Sequence, residues 1–250
     1  MSFNITLYDN SIFKTVFESI SRIIDEVTLI LDNQGLHISA LDKSHITFIT
    51  LELKKELFDE YSLETPEKIN IDCNEFMKIL KKCKNNDTLK LGLDEGNLII
   101  LFEGDASREF KLRLIDNEYE TITPPEINHE CNIQIATNVL KDAIDDMGLF
   151  GETLRFIIDQ DYFIIRSGDD AGFGDACTKY IHGENVQSSV AASYTIGKLV
   201  DIMKSSKFSD SVTVGLGDDL PLLLRLELST GDGVLEFLLA PRISDDDGGV

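Results

Sequence analysis

Three adjacent carboxylate pairs, Asp145-Asp146, Asp169-Asp170 and Asp218-Asp219, are the side chains best suited to bond-breaking chemistry. Neighbouring acids can share a divalent ion and activate water against a phosphate ester. None of the pairs has a His or Lys beside it in a role that would complete such a site, and with 45 acidic residues pairs arise from composition alone. Cys73, Cys83, Cys131 and Cys177 are scattered, without a CxxC, and His37, His45, His129 and His182 are equally dispersed. That spacing supplies no zinc set or redox pair, so the cysteines read as buried or partly buried free thiols. The run 168–174 (GDDAGFG) lacks the Lys-Ser/Thr and following helix of a phosphate loop and reads as a loop between strands. The chain is therefore read as a non-enzyme with no cofactor and no metal. A metal-dependent nuclease or phosphatase using an acidic pair is the competing reading from another class.

A second chemistry, ammonium groups against phosphate, is written in the lysines. Lys78, Lys81 and Lys82, with Lys84 just beyond, lie opposite an apolar stripe of Phe76, Ile79, Leu80 and Cys83 at helical spacing. Lys198, Lys204 and Lys207 stand in the same relation to Ile196, Leu199, Val200 and Met203, and two further helical stretches carry Lys14 and Lys141. Solvated helix faces would explain each of these alone. Nine of the 23 basic residues on four short helices of an acidic chain favour one shared basic surface. Met77 and Met203 read as core positions.

The elements that would carry these residues follow from periodicity. Residues 3–8 alternate as a strand; Asn10-Ser11 then offers an N-cap to a helix with Ile12, Phe13, Val16, Phe17 and Ile20 on one side. Strands are predicted around 27–31, 35–41 and 46–53, with a hairpin turn at 32–35. A strand at 69–72 leads into a helix over 74–83, followed by strands at 88–93, 98–103 and 109–116 with a turn at 94–97. Residues 118–130 (EYETITPPEINHE) have adjacent prolines and no period, which favours an extended linker.

The pattern then recurs. Val139, Leu140, Ala143, Ile144 and Met147 reproduce the first helix's apolar set 127 residues on. Residues 79–93 overlie 202–216 without a gap at a displacement of 123, with six of fifteen positions identical. The chain is a duplication of one α+β unit of two helices and a sheet, with predicted domains at 1–117 and 131–250 joined by 118–130.

The chain has 250 residues and a formal net charge of −22. Its length allows two domains of about 125 residues, each able to bury a core. A hydrophobic fraction of 42% and a charged fraction of 27% are those of a globular protein. No apolar run approaches the roughly 20 residues of a membrane helix, and the first ten residues show no secretory n-region. A soluble, cytoplasmic protein is expected, nuclear if the host is eukaryotic. So acidic a surface repels nucleic acid at long range. If DNA is a partner, either the basic residues are concentrated on one surface or something other than affinity must hold the complex.

The residues resemble the proliferating cell nuclear antigen family of DNA sliding clamps, of archaeal type. Residues 10–17 (NSIFKTVF) are similar to the family's first inner helix, and 76–83 (FMKILKKC) to its second. Residues 41–46 (LDKSHI) match its Asp-x-Ser-His segment. Residues 219–222 (DLPL) and 238–243 (LLAPRI), with acids at 245–247, match its carboxyl-terminal signature. The resemblance covers the whole chain.

It implies the duplicated two-domain clamp fold, α+β, with three chains closing head to tail into a ring around duplex DNA. Such a ring is a processivity factor for replication and repair, holding DNA by topology with weak, sequence-independent phosphate contacts. The resemblance implies inward-facing Lys14, Lys78, Lys81, Arg113, Lys141 and Lys204, with Lys82, Lys84, Lys198 and Lys207 as additions. The third helix departs from relatives in carrying Asp142, Asp145 and Asp146. The implied subunit interface pairs Glu109, Phe110, Lys111, Leu112, Arg113 and Leu114 with Cys177, Thr178, Lys179, Tyr180 and Ile181 of the next chain; otherwise both are ordinary internal strands. DNA polymerase, clamp loader, flap endonuclease and DNA ligase would dock short motifs in a hydrophobic pocket under the linker. Its implied residues are Leu41, His45, Ile46, Ile122, Pro221, Leu238, Ala240, Pro241 and Ile243, each of which could alone be packing. Leu238 stands where many relatives carry an aromatic residue. A heterotrimeric or damage-response ring is the alternative assembly.

Overall fold

The computed structural model describes residues 3–116, 122–168, 174–186 and 188–242. The chain divides into two compact units, Met1–Pro124 with Glu227–Leu235, and Pro125–Leu226 with Glu236–Val250. The predicted tail acids 245–247, Ile243, Asp169-Asp170 and the first part of the linker fall outside the described residues.

In the first unit the order is β1 (Phe3–Leu7), α1 (Ser11–Ile23), β2 (Glu26–Leu31), β3 (Gly35–Leu41), β4 (Thr47–Lys54), β5 (Glu60–Leu63), β6 (Glu67–Asp72), α2 (Cys73–Leu80), β7 (Thr88–Asp94), β8 (Asn97–Glu103) and β9 (Ser107–Arg113). One antiparallel sheet runs β5-β1-β7-β8-β9. The other runs β6-β2-β3-β4. The second unit contains β10 (Cys131–Ala136), α3 (Thr137–Met147), β11 (Thr153–Ile158), β12 (Tyr162–Gly168), β13 (Asp175–Ile181), β14 (Val190–Thr195), α4 (Ile196–Ile202), β15 (Ser211–Leu216), β16 (Leu222–Glu227) and β17 (Gly233–Leu239). Its sheets run β13-β12-β11-β14 and β10-β15-β16-β17. Strand for strand this repeats the first unit, with β5 as the one added strand, so the duplication read from the helices extends to sheet topology.

The cores explain the apolar spacing. On α1, Phe13, Val16, Phe17 and Ile20 are all buried, and Phe76 of α2 meets Phe13 and Phe17 at ring-centroid distances of 6.1 and 4.9 Å. At the repeat positions Leu140, Ile144 and Leu199 of the second unit are likewise fully buried. An aromatic triad in one unit is thus an aliphatic one in the other, each fully buried and built from side chains of different shape. Met77 and Met203 are buried, as expected. The turn at 94–97 is a tight hairpin, with Glu95 and Gly96 at φ of 47° and 75°.

Four local predictions are corrected. Asn10 does not cap α1. Its buried amide instead donates to the carbonyls of Lys84 (3.0 Å) and Asp87 (2.8 Å), so a tertiary partner outcompetes the local one. Asp72 does cap α2, accepting from Glu75 N at 2.8 Å. Regular α2 ends at Leu80, three residues early, because Lys82 and Cys83 bond three residues back and tighten the last turn. On α4, Ile202 is buried where Val200 was expected to be. Cys177 is exposed on β13, unlike the buried Cys73, Cys83 and Cys131.

Candidate nucleic-acid interface and docking turn

Lys14, Lys81, Lys82, Lys84 and Arg108 of the first unit come together at the end of α2. Lys14 on α1 donates to the carbonyl of Cys83. Arg108, on β9, donates to the Lys82 carbonyl at 2.9 Å and to the Asp87 carboxylate. Asp87 is 3% exposed and also accepts from Lys84 N at 2.7 Å. A buried carboxylate is tolerated only when so paired. Together with Asn10, these bonds hold the backbone of the 82–87 turn from α1 and β9, leaving the side chains of Lys81, Lys82 and Lys84 exposed. Lys84 reaches Asp105 at 3.4 Å, and Lys78 pairs with Glu75 at 2.6 Å, which raises its pKa. Arg113 is exposed at the other end of β9 from Arg108, about 16 Å along the strand. Arg108 carried no sequence signal, because its partners lie 21 and 26 residues away.

In the second unit Lys141 pairs with Asp145 one helical turn on, at 2.5 Å, and that hydrogen bond raises its pKa. Lys198 on α4 is half-buried, while Lys204 and Lys207 in the turns after α4 are exposed. The repeat position of Asp87 is Asp210, here exposed.

The Asp-x-Ser-His segment forms a tight turn between β3 and β4. The Asp42 carboxylate is buried and accepts from Ile46 N (2.7 Å), Thr47 N (2.9 Å) and Ser44 Oγ (2.5 Å). His45 takes a left-handed φ of 57°. The result is an exposed His45 and an Ile46 side chain 39% exposed beside a half-buried Leu41. Ile122 is 41% exposed, and its carbonyl accepts from Ser39 Oγ; a cavity of about 140 Å³ in this unit is lined by Ala40, Leu41, Lys43 and Ile122, among others.

In the second unit, Pro221, Leu238, Ala240 and Pro241 are each half-buried. The Pro221 carbonyl is bonded by His129 at 2.8 Å. Arg242 anchors the Ala-Pro-Arg segment, its N donating to Ser193 O and its guanidinium to Thr153 Oγ1, both at 2.7 Å. Asp42 and Arg242 are therefore the residues that shape these two apolar patches, one in each unit.

β9 and β13 are each the last strand of their sheet. Phe110 of β9 leans on Phe102, with centroids 5.2 Å apart, and Leu112 is buried. On β13, Ile181 is 70% exposed. Leu149 and Phe150, which the sequence reading passed over, are exposed after α3, and the Phe150 ring lies against Gly174 at the start of β13.

The carboxylate pairs do other work. Asp145 holds Lys141, and Asp218 accepts from Ala191 N at 2.7 Å. Asp219 takes a left-handed φ of 53° before Pro221. Among the described residues, no group of three or more His, Cys, Asp or Glu side chains is arranged to hold a metal ion.

The family model for the N-terminal domain of proliferating cell nuclear antigen matches residues 2–121. A DNA polymerase sliding clamp of Methanobrevibacter smithii is 49% identical, over 98% of this chain and 100% of the relative. The chain belongs to the proliferating cell nuclear antigen family. The family's fold is equally clear in solved structures. That of Thermococcus kodakaraensis superposes with a TM-score of 0.88 at 26% identity, covering 96% of this chain and 100% of the other. A chain of the PCNA2–PCNA3 complex of Sulfolobus tokodaii gives 0.87 at 26%, covering 96% and 99%. As a family member the chain is a DNA sliding clamp, with the α+β clamp architecture described above.

Proposed function

We propose that three copies of this chain close into a homotrimeric ring around duplex DNA and carry replication and repair enzymes along it, without catalysing a reaction. The observation that carries this reading is that two of the sheet-terminal strands, β9 and β13, have no neighbour on one edge among the described residues and show an alternating exposed pattern. Edges of that length invite pairing with another chain. A head-to-tail contact between unlike surfaces gives a ring if the rotation closes. Glu109 to Leu114 would pair with Cys177 to Ile181 of the next chain, with Leu149, Phe150 and Ile181 adding apolar contact area. β9 is net positive from Arg108, Lys111 and Arg113 against Glu109, which suits an acidic partner chain.

Topological linkage reconciles a net charge of −22 with DNA, because the contacts need only be weak. Lys14, Lys78, Lys81, Lys82, Lys84, Arg113, Lys141, Lys198, Lys204 and Lys207 are the proposed phosphate-facing set. The exposed Ile46 and Ile122 of the first unit are proposed to receive the apolar plug of a short partner motif, and Pro221, Leu238, Ala240 and Pro241 of the second unit are proposed partner-binding residues as well. Polymerase, clamp loader, flap endonuclease and ligase are the proposed bearers of that motif, in whichever compartment holds the host's DNA. The proposed domain division remains 1–117, 118–130 and 131–250.

The first test is solution mass by light scattering across a dilution series at two salt concentrations. Three times 28.0 kDa, persisting on dilution, is the expected result. A stable monomer would refute the homotrimer. The solved complex of two unlike family chains, PCNA2 and PCNA3, makes an unlike-subunit ring the second reading. A monomer that trimerises only with another clamp chain would establish it.

A further inference from the structure

Resting on the clamp reading, we infer that phosphate contact is carried mainly by the helical layer of the first unit, with the turn Lys81–Lys82–Lys84 as its principal contact. The third helix, α3, opposes contact with the duplex. The duplication makes the comparison direct, since each helix has a counterpart at the same place in its unit. On α1, Lys14 and Arg22 stand against Glu18, for a charge of +1. On the counterpart α3, Lys141 stands against Asp142, Asp145 and Asp146, for −2. Over residues 73–84, four lysines stand against Glu75, for +3, and over 196–207 three stand against Asp201, for +2. The helical layers therefore differ by four charges, +4 against 0.

Geometry sharpens the difference. Lys141 spends its ammonium on Asp145, 2.5 Å away on its own helix. Charges separated by less than the Debye length of about 10 Å act on a phosphate together, so the two remaining α3 acids dominate what the duplex meets there. In the first unit, Lys81 and Lys82 are exposed and have no ion pair among the described residues. The carboxylates paired with the neighbouring lysines are Asp105, 3.4 Å from Lys84, and Glu75, 2.6 Å from Lys78.

The backbone bearing these lysines is also pre-placed. Asn10 bonds the carbonyls of Lys84 and Asp87, Arg108 bonds that of Lys82, and Lys14 bonds that of Cys83. At the repeat position of Lys82 the second unit has Ser205, fully buried and donating to Ile202 O at 2.6 Å. A held backbone loses less freedom when its side chains engage a phosphate, which strengthens contact without added charge. Arg108 and Asn10 are thus positioning residues for the turn.

The test is fluorescence anisotropy of the assembled protein with a labelled 40-base-pair duplex across a salt series. Four variants are compared: K81A/K82A/K84A, K204A/K207A, K141A and D142N/D145N/D146N. Each phosphate contact contributes about 0.9 to the log–log salt slope, or about a 3.5-fold change in affinity between 50 and 200 mM salt. Losing three contacts from one subunit should flatten that fall by about 40-fold for the first variant, more where further subunits touch the duplex, and by less for the second. K141A should lose no more than one contact per subunit, about 3.5-fold over that salt range, and the Asp-to-Asn variant should bind more tightly. Light scattering on each variant verifies that assembly is unchanged. A K141A loss equal to that of the triple lysine variant, or no tightening when the α3 acids are neutralised, overturns the inference. If the unaltered protein neither assembles nor binds duplex at the lowest salt, the clamp reading itself fails.

Discussion

Replacing Asp42 by Ala isolates what the 42–47 turn contributes. One carboxylate oxygen accepts from Ile46 N and Thr47 N, at 2.7 and 2.9 Å, and the other from Ser44 Oγ. Ile46 and Ser44 are exposed, so water can replace their bonds at small cost. Thr47 is fully buried, and its N–H would be left without an acceptor, costing about 1–3 kcal/mol. The loss of charge assistance adds about 1 kcal/mol, so the variant should lose about 2–4 kcal/mol in urea denaturation. With the carboxylate gone, nothing on the side-chain side holds His45 at φ 57°, a conformation worth about 1 kcal/mol of strain. Its relaxation would move Ile46. Burying an Ile side chain is worth about 1.5–3 kcal/mol, so the affinity of a partner-motif peptide should fall by about 10-fold or more in calorimetry on the assembled protein. Asp42→Asn keeps one acceptor oxygen and should show about half of each effect. Unchanged stability would refute the hydrogen-bond argument. Lowered stability with unchanged peptide affinity would refute the role of the turn in docking.

Three further outcomes follow from the same residues. Phe76→Ala removes the ring that meets Phe13 and Phe17 in a fully buried site and should cost about 3–5 kcal/mol; Leu199→Ala, at the aliphatic counterpart, should cost about 2–5 kcal/mol, both read from denaturation midpoints at unchanged m-value. The Tyr61 hydroxyl donates to the carbonyls of Asp32 and Gly35, and burial followed by the Asp32 charge pushes its pKa up to about 12. Since the folded value lies above the usual one near 10, this contribution is whole below pH 10 and lost as pH rises towards 12; Tyr61→Phe should flatten that part of an alkaline denaturation curve, and an equal slope would disprove it. Ile122→Glu and Pro241→Glu should each abolish partner-peptide binding while the solution mass stays unchanged, whereas retained affinity would place the docking site elsewhere.

The repeat was legible because it lives in local spacing. The apolar positions of α1 recur on α3, and residues 79–93 recur as 202–216, and most of each stripe is buried, with Ile202 taking the place of Val200 on α4. Family membership was legible too, since the 41–46 and 238–243 segments are contiguous. What the sequence could not assign was which side chains serve those segments from a distance. Asn10 looked like a helix cap by its local chemistry, yet carbonyls 74 and 77 residues away take its amide. Arg108 lies just outside the strand predicted over 109–116 and carried no local signal, yet it fastens the lysine turn through Asp87. Lys141 looked like the twin of Lys14, yet one bonds a carboxylate on its own helix and the other a carbonyl beyond α2. The physical reason is range. Periodicity and turn chemistry act over a few residues and are encoded where they act. Hydrogen-bond partners for buried polar groups are chosen among all atoms the fold brings near, and only the tertiary structure makes that choice.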